Sequence, residues 1–353
     1  MDPITHTLFG AVMGRAGLNR TTGLATATLA LSAELPDIDV VLNFAGPVVS
    51  FGNHRGITHT FLGAPFVAAA AVGIVYAWYR WMRKRGRDTK LPPKWKLLYA
   101  YGLLGALSHV LLDFTNNYGV RPLSPFLHER YAWDIVFIIE PTVTLPLLLA
   151  LVLPWFFGLI GGEVGAKRTK FPGRAAAITM LVVVGCVWWL RDFHHRRAIA
   201  LLGQQHYEER EPLRISASPY MLNPFRWLGV VETETAFFTM PVDTLKGEVD
   251  PQRTMRVRYK PEETPVTLAA KSSPLGKVYL DWARHPYVDI MVPDRPQGDT
   301  TVVIRDLRYD YPDNRLRFGD DSDNQDRTPL TMRVVLDSQL RVVEQRMGRH
   351  VEK

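Results

Sequence analysis

Three short stretches of this chain carry residues able to do chemistry, and each stands at the end of an apolar run. The central one is His54-Arg55-Gly56-Ile57-Thr58-His59-Thr60. Before it lies Glu34-Leu35-Pro36-Asp37-Ile38-Asp39, and after it Ser108-His109 with Asp113 four positions on. Residues four apart share one face of a helix, so His109 and Asp113 can offer an imidazole and a carboxylate to one ion. Asp37 and Asp39, one residue apart in a proline-led turn, can bind a cation, bridge two, or act as a general base. Arg55 presents a planar fork of donors that matches a phosphate or carboxylate. The chemistry expected is metal-assisted hydrolysis. His54, His59, His109 and Asp113 hold metal, Asp37 or Asp39 bridges ions or serves as base, and Arg55 neutralises an anionic substrate. Zinc or another divalent metal, as one to three ions, suits this donor set, because such an ion polarises the scissile group and brings a bound water toward neutral pKa.

Each residue also has a plainer reading. Thr58 or Thr60 caps a helix. His6 is either a ligand or a polar residue at a membrane surface. Asp134 is either a ligand or a carboxylate favoured by the dipole of a helix starting at Ile135. Glu140 lies further into the apolar run and is harder to dismiss. Asn116, Asn117, Tyr118 and Arg121 fall in the preceding loop, where they can line a substrate pocket. His194, His195, His206, His285 and His350 sit in polar surroundings and read as surface or linker residues. Arg191, Arg196 and Arg197 read as a group at headgroup level.

The elements that position these residues are apolar segments at 4–13, 22–33, 56–79, 97–112, 141–162 and 175–190. The first two are shorter than the roughly 20 residues that cross a bilayer. Basic residues cluster between the others: Arg80, Arg83, Lys84, Arg85 and Arg87, then Lys167, Arg168, Lys170 and Arg174. Up to His195 the chain has 18 Lys and Arg against 11 Asp and Glu; from Arg196 it has 24 of each. Excess positive charge confined to short loops between apolar runs follows the positive-inside rule. It argues against a nucleic-acid surface, and no nucleic-acid partner is expected. With both basic loops in the cytoplasm, every histidine or acidic cluster falls on the opposite side.

The expected fold is therefore an α-helical membrane bundle of about six membrane-embedded helices, the first two short, over residues 1–195. A C-terminal all-β soluble domain on the extracytoplasmic side, with a helical lead-in, covers 196–353. Strands are expected at 233–240, 254–259, 266–270, 278–282, 288–292, 300–309, 330–336 and 340–346, with an acidic, turn-rich interruption at 310–326. The single cysteine, Cys186, excludes an internal disulfide framework and a cysteine-based zinc site. The opening residues MDPITHTLFG lack a basic region and a cleavage site, so no cleavable signal peptide is expected.

The Ile4-Thr5-His6 lead-in, the LPDID turn, HRGITHT, SHVLLD and Trp133-Asp134-Ile135 with Glu140-Pro141, in that order, resemble the YdjM-type family over about residues 1–190. The resemblance implies a bacterial inner-membrane, metal-dependent hydrolase with His6, Asp37, His54, His59, His109 and Asp113 as ligands or near-ligands. The His-xxx-Asp element is more remotely similar to zinc-dependent phospholipase C and the related single-strand nucleases. The substrate expected is a phosphoester, a phosphorylated amphiphile or another lipid-linked molecule, met at the outer face of the inner membrane. A divalent-cation transporter or sensor would need polar residues through both halves of the membrane and often repeated halves. Neither is evident. Haem binding through paired histidines is disfavoured by the many carboxylates. A scaffold with a structural metal is the remaining alternative.

Overall fold

The computed structural model describes residues 1–163, 173–208, 210–291, 299–311, 330–348 and 350–352. The basic residues Lys167, Arg168 and Lys170 and most of the acidic stretch 310–326 lie outside them. The chain forms two compact units. One comprises Met1–Asp39 and Arg55–Asp192, the other Val40–His54 and Phe193–Lys353. Seven helices run from the start of the chain: α1 (Pro3–Arg15), α2 (Ala25–Glu34), α3 (Pro47–Asn53), α4 (Ala64–Lys84), α5 (Trp95–Thr115), α6 (Pro141–Glu163) and α7 (Arg174–Gly203).

The first unit is helical. Helix α1 starts where a sequence-local signal puts it, with Pro3 in the first turn and the Asp2 carboxylate accepting from Thr5 N at 3.0 Å. Helices α5, α6 (over Pro141–Gly158) and α7 are long and apolar enough to cross a membrane. A fourth span exists if the broken pair Pro47–His59 and Ala64–Lys84 is one crossing. Helices α1 and α2, with 13 and 10 residues, are too short at about 1.5 Å per residue. The expectation of about six membrane-embedded helices is thus corrected to three spans, or four, with two short helices beside them. Trp155 and Trp189 are 63% and 72% exposed. Large apolar side chains turned outward on spanning helices suit a lipid surface.

Small residues bring the helices together. Gly105 of α5 lies against α2 so closely that an added Cβ would stand 2.9 Å from Leu29 O and 3.0 Å from Ser32 Cβ. Ser32 Oγ donates to Gly102 O at 2.5 Å across the same contact. Close backbone approach through small residues is how helices gain packing energy inside a membrane. Substituting Gly105→Ala is expected to push α2 from α5 and cost about 1–3 kcal/mol, read as a lower unfolding temperature in detergent micelles. An unchanged temperature would show that this contact tolerates a methyl group.

The second unit holds two antiparallel five-stranded sheets. The first runs β1 (Arg214–Pro219), β2 (Arg226–Glu232), β3 (Ala236–Asp243) and β4 (Glu248–Val249), with β5 (Arg256–Tyr259) also on β3. Helices α8 (Pro265–Ser272) and α9 (Pro274–Trp282) follow. The second sheet comprises β6 (Pro286–Met291), β7 (Thr300–Asp306), β8 (Met332–Leu336), β9 (Val342–Met347) and β10 (His350–Glu352) in consecutive order. The all-β expectation is corrected, because the strands expected at 266–270 and 278–282 are helices. Their starts explain it. Thr264 and Thr267 form a reciprocal capping box before Pro265, and Ser273 Oγ accepts from Gly276 N at 3.0 Å before Pro274. Those caps outweigh the β preference of Val266, Val278 and Tyr279. Strands β1 and β2 were not expected at all. Their core comes from the end of α7: Ala198 and Leu202 pack with Trp227, Val231 and Phe238.

Helix α3 belongs to this second unit. Phe51, buried, stacks on Tyr279 at 5.8 Å and meets Trp282 edge-on at 5.3 Å. The chain therefore leaves the helical unit after Asp39, contributes one helix to the β-rich unit, and returns at Arg55.

Glu232 supplies a pH signature in this unit. Its carboxyl is drawn down to about 2 by the neighbouring His285 imidazole, whose Nδ1 lies 3.4 Å from Oε2, with Lys260 Nζ at 2.8 Å adding to the effect. A depressed carboxyl stabilises the fold fully above its ordinary value of 4.5 and loses that contribution as pH falls toward 2. Acid titration of wild type and Glu232→Gln should show the difference between them shrinking over that window. A constant difference would contradict the assignment.

Candidate metal centre

The 3₁₀ segment at Leu35–Ala45 starts directly after α2, and Asp37 follows Pro36 in it. A single 3₁₀ turn at Ile57–His59 carries His59. His109 and Asp113 stand one turn apart near the end of α5. These three elements bring Asp37, His59, His109 and Asp113 together, with one ligand atom of each lying within 4.8 Å of the others. His59, His109 and Asp113 are fully buried. The individual contacts are His59 Nε2 to Asp37 Oδ1 at 3.3 Å and to Asp113 Oδ2 at 3.5 Å. His109 Nε2 lies 3.5 Å from Asp37 Oδ1 and 3.5 Å from Asp113 Oδ2.

The surrounding hydrogen bonds fix the imidazoles. His109 Nδ1 is 2.6 Å from Ala33 O. A carbonyl can only accept, so Nδ1 carries the proton and Nε2 turns toward the cluster, the tautomer suited to a metal ligand. The Ala33 carbonyl belongs to the last turn of α2, which is why the tight α2–α5 contact at Gly105 bears on the site. His59 Nδ1 is 3.0 Å from Thr58 Oγ1 and 3.7 Å from Asp39 Oδ2, leaving its Nε2 inward as well. His109 Nε2 and Asp113 Oδ2 are buried and complete no hydrogen bond. Buried polar atoms normally find a partner, and two lone-pair donors lacking one suit a cation between them. Burial would raise the Asp37 carboxyl, but the neighbouring imidazoles of His59 and His109 outweigh it and hold it well below its usual range. Asp37 is thus an anionic donor at any working pH.

The other residues singled out in the sequence take different places. His6, on α1, stacks on His109 with ring centroids 3.8 Å apart, and its Nε2 is 3.4 Å from Asp113 Oδ1. The Met1 amino group sits 3.0 Å from His6 Nε2 and pairs with Asp113. Asp39 turns away from Asp37: its Oδ2 accepts from Arg55 N at 2.7 Å. Arg55 is buried, and its Nη2 is 2.8 Å from Asp113 Oδ1. Its Nη1 donates to Asn116 Oδ1 at 3.1 Å and Gly119 O at 3.2 Å, and its guanidinium lies over Tyr118 at 4.7 Å. With φ at 56° its backbone is left-handed, a conformation that costs a non-glycine residue about 1–2 kcal/mol. Arg55 is therefore built in as the counter-charge of Asp113, where the sequence suggested a free arm for substrate. Asn116, read as a pocket residue, orients that arm.

His54 and Asp134 differ from expectation. His54 ends α3 and falls in the second unit, and Asp134 is outside the four-residue group. No helix begins at Ile135. Ile135 N and Val136 N both donate to Thr115 O, and Val136 pairs with Asn116, so the β-branched run is extended and α6 starts only at Pro141. Asp134 itself has φ at 60°.

Three residues read as superficial are interior, among them His194, buried with its Nδ1 2.9 Å from Thr244 Oγ1. Arg191 is fully buried and meets the fully buried Glu140 at 2.8 Å, while its Nη1 donates to Ile135 O at 3.4 Å. His285 is fully buried in the second unit. Nothing in their sequence neighbourhoods marks any of them, since each is recognised only by a partner far along the chain.

Within the helical unit, the cluster and the basic residues occupy opposite helix ends. His6 is near the start of α1, Ala33 near the end of α2, and Asp113 near the end of α5. Arg15 ends α1, where its Nη1 donates to Leu151 O, and Arg174 Nε donates to Ala16 O. Thr5 Oγ1 and Thr144 Oγ1, 2.6 Å apart, join α1 to the first turn of α6 at the cluster end.

A bundle of apolar helices enclosing buried carboxylates and imidazoles defines a membrane protein with a candidate metal centre. The sequence profile described as YdjM inner membrane protein matches residues 1–195, and the chain belongs to that family. It is also 28% identical over 248 residues to the uncharacterized protein YfhP of Bacillus subtilis (strain 168), a match covering 67% of each chain. No solved structure matches.

Proposed function

We propose that the protein is a membrane-bound, metal-dependent hydrolase acting on a phosphoester, with the cluster at the extracytoplasmic side of the inner membrane. The carrying observation is the convergence of Asp37, His59, His109 and Asp113 within 4.8 Å, three of them fully buried in a helical unit of a membrane-protein family. Ionisable groups in such a place are expensive and mark function by default. The donor set is imidazole nitrogen and carboxylate oxygen, which suits zinc and similar divalent ions.

A divalent ion held there would supply Lewis acidity to the substrate's phosphoryl oxygen and make a water more acidic. The protein's own part is to fix the donors. Ala33 O sets the His109 tautomer, Thr58 and Asp39 set His59, and Arg55 pairs with Asp113 and orients it. Asp37, 19% exposed at its side chain, is the most open of the four. The basic helix ends lie away from the cluster, which supports a cluster on the extracytoplasmic side by the positive-inside rule. A site at that depth suits an amphiphile whose phosphorylated head enters while its tail stays in the bilayer.

The test is hydrolysis of bis(p-nitrophenyl) phosphate and of a short-chain phospholipid in micelles by protein loaded with zinc, manganese or cobalt. Turnover is expected with at least one metal, abolished by chelation and restored by re-addition. Cleavage of soluble diesters but of no lipid would remove the amphiphile. Metal binding without cleavage of either would favour a structural metal in a scaffold, and the enzyme reading would fall.

A further inference from the structure

The β-rich unit contains a second constellation, unrelated to the metal centre. Ser216 on β1, Glu232 at the end of β2 and His285 just before β6 lie far apart in sequence but meet. Ser216 Oγ is 2.7 Å from His285 Nε2, and His285 Nδ1 is 3.4 Å from Glu232 Oε2. Lys260 Nζ takes the other carboxylate oxygen, Oε1, at 2.8 Å, so Oε2 is left for the imidazole. His285 is fully buried whereas Ser216, on an edge strand, is only half-buried. The residues on either side hold the imidazole in place: His285 O accepts from Leu307 N at 3.1 Å, and Arg284 N donates to Asp306 Oδ2 at 2.7 Å. Arg214, two positions before Ser216 and so on the same face of β1, donates through Nη1 to Arg284 O at 2.7 Å. It brings a cation to the same corner.

We infer that Ser216, His285 and Glu232 form a serine nucleophile, base and orienting carboxylate that cleave carboxylic esters. The order of roles follows from the distances: an accessible hydroxyl, an imidazole within hydrogen-bond reach, and a carboxylate on the imidazole's far nitrogen. At 3.4 Å His285 Nδ1 completes no hydrogen bond to Glu232, and such contacts commonly close only when substrate binds. In the step proposed, Ser216 Oγ bonds to the ester carbonyl carbon as its proton passes to His285 Nε2. Arg214 faces the oxygen that becomes negative. The bond to the alcohol then breaks, and the alcohol departs with that proton. Water attacks the acyl group on Ser216, losing a proton through His285 to Ser216 Oγ, and a carboxylic acid is released.

The plain alternative is a hydrogen-bond staple that joins β1 to the approach of β6. A fluorophosphonate probe separates the two, because it reacts only with an activated serine and loses fluoride on bonding to Oγ. The full-length protein in detergent micelles should be labelled near-stoichiometrically, with the adduct on the peptide containing Ser216. Ser216→Ala should abolish the label, and His285→Gln should slow it by about 10²–10⁴-fold. Labelling should persist in chelator, which separates it from the metal centre. Absence of an adduct at Ser216 in the parent protein would overturn the proposal whether or not the variants fold. Labelling of His285→Gln at the parent rate would do so equally.

Discussion

Replacing His109 by alanine is expected to weaken divalent-metal binding by more than about 100-fold, beyond the 10–100-fold that loss of an outer-shell partner costs. The reason is geometric. The tautomer of His109 is dictated by a backbone carbonyl, at 2.6 Å from Ala33 O, and its Nε2 is turned to both Asp37 and Asp113. The variant also deletes a ring stacked on His6, so some loss of stability accompanies it. Competition against a chromophoric chelator measures the affinity directly. Substituting Thr58→Ala provides the graded comparison, since it removes only a partner of His59 Nδ1 and should cost less than His109→Ala. Equal metal affinity in wild type and His109→Ala would remove His109 from the ligand set.

The second large effect concerns the buried pair Glu140–Arg191. Breaking such a pair from one side leaves an uncompensated charge in the interior and costs about 3–5 kcal/mol, whereas replacing both partners by apolar residues is often nearly neutral. Arg191→Met alone should therefore lower the unfolding midpoint in detergent sharply. Glu140→Leu combined with Arg191→Met should recover most of it. The pair also holds the extended run before α6, because Arg191 reaches Ile135 O while Ile135 N is held by Thr115 O. That run adjoins the end of α5 that carries Asp113, so the single variant should weaken metal binding as well as stability. Additive losses in the double variant would show that the two residues act independently.

What could be read from the sequence follows from the range of the interactions involved. The apolar segments that become α4–α7 are local features of composition, and they appear in the structure as helices. Where a helix begins is decided by a few side chains. Pro3 after Asp2 is such a signal, and so are Thr264-Pro265 and Ser273-Pro274, which start helices in spite of the alternating apolar residues after them. The helix expected at Ile135 failed for another reason: its amides are claimed by Thr115 O, a partner twenty residues away in sequence. The chemistry-bearing types at the cluster are visible as types, since His109 and Asp113 share a helix face by spacing alone. Their supports are not. Ala33 enters through its carbonyl, which no side-chain motif records. The fate of Arg55 depends on Asp113, Asn116 and Gly119, 58 to 64 positions away. His285 and Arg191 looked superficial because polar neighbours surround them in sequence, yet burial is set by strands and helices that arrive from elsewhere.

The most direct measurement is X-ray absorption at the metal edge of zinc-reconstituted protein, compared with the His59→Ala and His109→Ala variants. The account predicts bound zinc with only nitrogen and oxygen donors at about 2.0–2.2 Å, at least two of them imidazoles, and loss of imidazole scattering in each variant. Failure of the protein to retain zinc, or an unchanged two-imidazole signal in both variants, would contradict it.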